Sequence, residues 1–248
     1  MNASRVALVT AGISGLGTAI CRRLESEGFR VAVSHSPQQR DPQAWLAMQR
    51  DEGHRFAAYR ADARDYADTE WMVQKVLADH GRLDVLVNNV GVVCDRSLSK
   101  MSADEWHKVL RTNLDSLFNM SKQAIDPMME QRWGRIINIS SVTAQSGAFG
   151  QSSYAAAMAG MHGFSKSLAL EVARFGITVN TVSPGYLRSR VADAIPTDVM
   201  RNTILPTIPV GRLGEPAEVA ALVAYLCSDL AAFVTGANIA INGGQHTC

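Results

Sequence analysis

Cysteine is scarce in this chain, and the four present (Cys21, Cys94, Cys227 and Cys248) form no CxxC pair and no partnered framework. That excludes a zinc ribbon and a disulfide-stapled fold, and reads as reduced thiols in a cytoplasmic protein. Blocks of one charge are absent as well. The 24 Lys and Arg are scattered among 23 Asp and Glu, for a net charge of +1, so neither a nucleic-acid-binding surface nor a disordered acidic tail is expected. No run of about 18 apolar residues occurs, which excludes a membrane-spanning helix. The opening MNASRVALVTAG has only a short apolar run that leads straight into a glycine-rich turn, so it reads as a strand and not as a signal peptide. Internal repeats, low-complexity tracts and interdomain linkers are missing too. With 248 residues and no linker, the chain reads as one large domain, long enough to bury a substantial core.

What is present is an alternation of short β-branched runs with helical patterns. Val6 to Thr10 reads as a strand, followed by AGISGLG and then a helix through Ile20 and Leu24. Strand, glycine-rich turn and helix in that order are the context of a dinucleotide fingerprint. Gly12, Gly15 and Gly17, with Ser14 and Leu16 between them, would let a pyrophosphate approach the helix N-terminus, where free N–H groups favour an anion. A tight strand–helix turn with no ligand is the other reading of the glycines alone. A second strand runs over Phe29 to Ser34. An acid near its end would bind a ribose 2′-hydroxyl, but His35, Ser36, Pro37, Gln38, Gln39 and Arg40 stand there instead. Arg40 could accommodate a 2′-phosphate, or it is a solvated loop arginine. Helix 41–51, strand 55–60 and helix 67–80 follow. An apolar strand then ends in DVLVNNVG at 84–91, and a long helical pattern over 104–130 contains Asn113. A strand over Thr178 to Val182 ends in SPGYLRSR, helix 216–229 comes next, and TGANIAINGG at 235–244 supplies the last strand. Residues 190–212 lack firm periodicity, and the stretch from about 187 to 212 reads as a substrate lid.

The stretch that organises all this is Asn138 to Met161, NISSVTAQSGAFGQSSYAAAMAGM. A buried strand passes a serine pair, crosses a glycine-containing loop and enters a helix whose first turn carries Tyr154. Serine and tyrosine would meet at the carboxyl edge of a parallel sheet, where open α/β folds bind ligands. This segment resembles the active site of the short-chain dehydrogenase/reductases, and within them the acetoacetyl-CoA reductases and 3-oxoacyl-carrier-protein reductases. The resemblance covers the whole chain through five motifs in order. It implies a single-domain α/β Rossmann fold, with a seven-stranded parallel sheet in the order 3-2-1-4-5-6-7 and helices on both faces. It further implies NADP(H) as cofactor, a small acyl-CoA or acyl-carrier-protein thioester as substrate, and a homotetramer.

Carried over residue by residue, the resemblance makes Ser141 the group that holds the substrate carbonyl, Tyr154 the proton donor and Asn113 the holder of a water on the proton path. Cofactor contacts would come from Gly12, Ser14, Gly15, Leu16 and Gly17, from Asp62 and Ala63, from Asn89, Val90 and Gly91, from Tyr154, and from Pro184, Gly185 and Ser189. Phe149, Gln151 and Tyr186 would line an acyl pocket. The chain departs from the family pattern at three places: Ala11 replaces a glycine, Val90 an alanine and Met158 the catalytic lysine. Ala11 is expected to cause an adjustment of the turn provided its dihedrals suit a residue with a Cβ.

The third departure bears on chemistry. A tyrosine with a reference pKa near 10 is a poor acid–base group at neutral pH unless its phenolate is stabilised. A lysine four residues on shares the helix face and supplies that charge. Methionine fills similar space without charge or donor. His162 and Lys166 lie too far along the helix to replace it. Two functions therefore stand side by side: a 3-oxoacyl thioester reductase impaired at Met158, and a non-catalytic member of the fold that binds nucleotide or joins an oligomer.

Overall fold

A computed structural model describes residues 4–38 and 41–247. Seven short runs of small and β-branched residues form the strands β1 (Val6–Val9), β2 (Arg30–His35), β3 (Phe56–Arg60), β4 (Val85–Asn88), β5 (Gly134–Ile139), β6 (Ile177–Pro184) and β7 (Asn238–Ile241). They pair throughout in parallel, in the order β3-β2-β1-β4-β5-β6-β7, as expected. β1, β4, β5 and β6 are buried along their whole length. That is why β1 and β4 read as near-continuous apolar runs, while β5 and β6 also bury polar residues such as Asn138 and Asn180.

The helices are α1 (Gly15–Ser26), α2 (Pro42–Asp51), α3 (Tyr66–His80), α4 (Ala103–Leu110), α5 (Ser116–Gln131), α6 (Thr143–Ser146), α7 (Ser152–Val172), α8 (Arg190–Asp193), α9 (Thr197–Val199) and α10 (Pro216–Cys227). Alternate strand residues divide them between two faces. Val6, Leu8, Leu86, Ile136 and Val179 pack with Met72 and Val76 of α3, Met120 and Met128 of α5, and Leu168 and Val172 of α7. Ala7, Val9, Val87, Ile137 and Val182 pack with Ile20 and Leu24 of α1 and Val219 and Val223 of α10. The period of two along each strand thus feeds two separate cores.

Two stretches differ from the sequence reading. The helical pattern over 104–130 is not one regular helix, because Arg111–Asp115 is a π turn between α4 and α5. Three side chains there donate back to carbonyls four residues earlier: Thr112 to Lys108 (2.8 Å), Asn113 to Val109 (2.8 Å) and Ser116 to Thr112 (2.7 Å). Such back-bonding competes with the backbone ladder and favours a local irregularity. The aperiodic segment after residue 189 folds into α8, α9, a π turn at Met200–Ile204 and a 3-10 turn at Leu205–Thr207. It has a small core of its own, made of Ala192, Ile204, Ile208 and Leu213. Cys21, Cys94 and Cys227 are free thiols, and Cys248 lies outside the described residues. No helix among the described residues is long and apolar enough to cross a membrane.

Candidate active site

Between β1 and β4 the sheet order reverses, and the loops that leave these two strands diverge. A cavity of ≈ 550 Å³ opens there, lined by Ala11, Ser14, His35, Asp62, Arg64 and Val90 among others. The turn that makes its floor is built by close approach. A Cβ on Gly12 would come within 2.7 Å of Val33, and one on Gly17 within 2.4 Å of the Ala11 carbonyl. Gly15 meets nothing within 4 Å, so the first residue of α1 faces open space. Ser14 caps that helix by accepting from the Gly17 N–H at 3.1 Å, which fixes the direction of the helix N-terminus. Asn89 ties the turn to β4: its Nδ2 donates to the carbonyls of Thr10 and Ala11 and to Ser14 Oγ, each at 3.2–3.3 Å.

The proviso placed on Ala11 is not met. Its φ is +49°, in the left-handed region that costs a residue with a Cβ about 1–2 kcal/mol. The turn keeps its shape because Ala11 O is held by Ser14 N–H and Asn89 Nδ2. Val90 stands on the cavity wall, its N–H bonded to Thr10 Oγ1 at 3.3 Å. Asp62 lines the wall with its carboxylate gripped by Arg64, and Ala63 is fixed from behind by Asn119, whose Nδ2 donates to the Ala63 carbonyl at 3.0 Å.

A second cavity of ≈ 430 Å³ lies beyond the carboxyl end of β5 and holds Ser141, Tyr154, Gln151, Gly185 and Tyr186 on its walls. Ser141 Oγ accepts from the Thr143 N–H at 3.2 Å and shares the cavity wall with the Tyr154 phenol, whose pKa it lowers. Gln151 is fixed at both ends of its amide, by Asp95 Oδ1 at 2.7 Å and by Thr143 Oγ1 at 3.3 Å. Burial pushes the Tyr154 pKa above its usual value. Ser141 pulls it back, and the Asp95 carboxylate adds to the rise. The phenol therefore keeps its proton across the neutral range.

Met158 lies one turn along α7, only 2 % exposed, in an apolar cluster with Leu117, Met161, Leu114 and the Tyr154 ring. It forms the floor beneath the phenol and not a wall of either cavity. His162 does not substitute for a cation at the phenol, because its Nε2 pairs with Ser140 Oγ at 2.9 Å and burial lowers its pKa. Asn113, 1 % exposed, donates to the Val92 and Val109 carbonyls and accepts from the Val92 N–H, all at 2.8–2.9 Å. Beneath the floor, Asn88 donates to Asn138 Oδ1 at 2.8 Å and Asn138 to Ser165 Oγ at 2.8 Å. This chain of bonds locks β4, β5 and α7 together and gives Asn88 a structural role.

Not every expected residue joins the two cavities. Ser189 is turned away: its Oγ accepts from the Ala192 N–H at 3.1 Å, as a cap on α8. Phe149 is 97 % exposed and lines neither cavity. Pro184 is buried as the last residue of β6, and Gly185 packs so closely that a Cβ would strike Gln245 Oε1. Arg40 lies outside the described residues. Conversely, Arg64, Lys108 and Thr112 on the first cavity and Thr203, Thr207 and Gln245 on the second were not singled out from the sequence. Arg64 had a signal, since it stands two residues from Asp62. Gln245 had none, because only folding brings it to within 2.9 Å of the Tyr186 N–H.

The comparisons with known proteins agree with this architecture. The family model described as enoyl-(acyl carrier protein) reductase matches residues 10–246. The chain belongs to the short-chain dehydrogenase/reductases. It is 47 % identical over 242 residues to the acetoacetyl-CoA reductase of Cupriavidus necator, with 98 % of each chain covered. It is 44 % identical to nodulation protein G of Azospirillum brasilense, again over 98 % of each. The 3-oxoacyl-[acyl-carrier-protein] reductase of Haemophilus influenzae shares 40 % over 98 % of each chain. Within this short-chain dehydrogenase/reductase, the serine–tyrosine pair is intact and the position four residues after the tyrosine is apolar.

Proposed function

We propose that the chain is an NADP(H)-dependent reductase of 3-oxoacyl thioesters of the acetoacetyl-CoA type, with turnover impaired by Met158. The observation that carries this reading is that Ser141 and Tyr154 stand together on the wall of a cavity large enough for an acyl chain. A dinucleotide fits the other cavity: the face of Gly15 is open, and Gly12 and Gly17 admit no Cβ. Ser14, Asp62, Ala63, Asn89, Val90 and Gly91 would hold it, and when bound it supplies the hydride. The residues of the chain supply the rest. Ser141 donates to the substrate carbonyl, and Tyr154, protonated at neutral pH, gives the proton that the alkoxide needs. Asn113 sits in the π turn with its side-chain amide spent on Val92 and Val109, so a water on the proton path would be held by its backbone carbonyl. Tyr186 and Gln151 bound the acyl end, and segment 187–212 serves as the lid.

The structure of the floor also favours the second reading, a member that binds nucleotide with little turnover. Tyr154 has a buried thioether beside it where a cation would hold its phenolate, and losing such an acid–base assist lowers rate by ~10²–10⁴. Homotetramer formation is part of the proposal and is supported by exposed apolar side chains: Phe118 on α5, Leu170 on α7, and Leu230 and Phe233 before β7. We place the protein in the cytoplasm. NADPH oxidation with acetoacetyl-CoA, together with equilibrium binding of NADPH, tests both readings. Slow turnover with tight binding supports the impaired reductase. Tight binding with no turnover above background supports the non-catalytic member, and absence of binding sinks the reductase and leaves the member that only joins an oligomer.

A further inference from the structure

We infer that Arg64 is a specificity-determining residue of the nucleotide cavity. By neutralising Asp62 it lets the adenosine end accept a 2′-phosphorylated ribose. The inference rests on the nucleotide-binding reading above and concerns one pair of side chains on the wall of that cavity.

Among the described residues, Asp62 is the one carboxylate lining this cavity, and Arg64 and Lys108 are its cations, with His35 beside them. The carboxylate and the arginine are closely paired. Arg64 Nε donates to both Asp62 oxygens at 2.9 and 3.2 Å, Nη2 donates to Oδ2 at 2.6 Å, and the Arg64 N–H adds a bond to Oδ1 at 3.0 Å. One arginine thus covers both oxygens through its side-chain fork and its backbone, the geometry in which arginine outperforms lysine. The Asp62 backbone is fixed by its N–H donating to Asp68 Oδ2 at 3.0 Å, and its carboxylate keeps the bond from the residue-64 N–H when the arginine side chain is removed. Lys108, by contrast, forms no ion pair among the described residues.

The charge balance follows. With Arg64 in place, the Asp62 charge is cancelled and Lys108 leaves the wall with one net positive charge. Without Arg64, an anchored and unpaired carboxylate faces the nucleotide, and the net charge of the wall falls to zero. A 2′-phosphate carries nearly two negative charges at neutral pH and would feel that change far more than a hydroxyl does. The usual acid at the end of β2, which would bind a 2′-hydroxyl, is missing here: Ser34, His35, Ser36 and Gln38 line that side. The structure therefore lacks the group that selects for a free ribose and masks the one carboxylate that would repel a phosphorylated ribose.

The adenosine end can be tested alone with 2′,5′-ADP and 5′-AMP, which never reach Met158. Titration calorimetry on the full chain should show tighter binding of 2′,5′-ADP. Arg64→Gln should weaken 2′,5′-ADP about fivefold or more and 5′-AMP about twofold or less, with the difference shrinking at high salt. Adding Asp62→Asn to Arg64→Gln restores the charge balance and should recover most of the loss for 2′,5′-ADP. Circular dichroism checks that each variant is folded, which is expected because the Arg64 side chain is 43 % exposed. Equal weakening of both ligands by Arg64→Gln, or no recovery in the double variant, would overturn the inference and leave Arg64 as a loop fastener. If neither ligand binds the unaltered protein, the nucleotide-binding reading fails first, and the inference with it.

Discussion

At the end of the site proposed for adenosine a charge is met by a charge: Asp62 and Arg64 pair on the cavity wall, and Lys108, in no ion pair among the described residues, lines the same cavity. At the catalytic end Tyr154 has burial around it, Asp95 raising its pKa and Met158 beneath it. The first arrangement suits an anion that arrives and leaves. The second holds a phenol that gives a proton readily only to a strong base and does not easily lose it to water. One fold therefore carries a polar, ligand-ready half and a half whose proton chemistry lacks electrostatic support. The same α7 helix that positions Tyr154 also buries Met158, so the proposed deficit would lie in one side chain and not in the scaffold.

The comparison breaks most visibly at Met158. Met158→Lys should raise turnover of a short 3-oxoacyl thioester by at least ~10²-fold, and adding Tyr154→Phe should remove the gain, since the lysine acts through the phenol. Steady-state NADPH oxidation measures both, and an unchanged rate with NADPH still bound would move the defect to the substrate cavity. In the reverse, alcohol-oxidising direction the phenolate is the useful form. With its pKa raised, activity should climb only at alkaline pH, above the ordinary tyrosine range, and in Met158→Lys the climb should shift to lower pH.

The same substitution has a cost in the unliganded protein. Met158 lies in an apolar cluster, so an unpaired ammonium there should destabilise by about 1–3 kcal/mol, read as a lower Tm that NADPH partly restores. Met158→Leu is the control: it keeps the apolar floor and should change stability by less than about 1.5 kcal/mol. A Tm for the lysine variant equal to that of the unaltered protein would mean that the floor is wetter than its burial indicates.

A smaller effect is expected at the polar half. Ala11→Gly relieves the positive φ of +49° and should stabilise by about 0.5–1 kcal/mol, the strain removed being partly offset by the greater freedom of glycine in the unfolded chain. A shift of the urea midpoint at constant m-value measures it. Smallest of all, Val90→Ala should tighten NADPH binding by no more than about threefold, because Val90 stands on the wall of a cavity that remains open beside it. A loss of binding would mean that the branched side chain shapes the pocket and does not crowd it.

Much of this was legible beforehand. The alternation of strands and helices, the glycine turn, the asparagine pair and the Ser141–Tyr154 spacing are local or periodic features that the structure carries, and the strand order is the one that the family resemblance implies. Ser189 and Phe149 were placed by motif position, yet one caps α8 and the other points outward. A loop side chain has several directions available to it, and motif spacing does not choose among them. The π turn around Asn113 was hidden because back-bonding from three polar side chains leaves a helical hydrophobic pattern intact.

By itself, then, the sequence determined the alternation of strands and helices, since hydrophobic period and turn chemistry are short-range, its family resemblance supplied the strand order, and it determined that a cation is missing four residues after Tyr154. Tertiary structure alone decided what occupies the space around that tyrosine. It turned His162 toward Ser140, buried Met158 under the phenol ring and brought Asp95 near. It also brought Gln245 from the far end of the chain to the Tyr186 N–H and closed the Arg64 fork on Asp62. Such encounters join residues far apart in the chain or depend on a side-chain direction, and only packing against the completed sheet settles either.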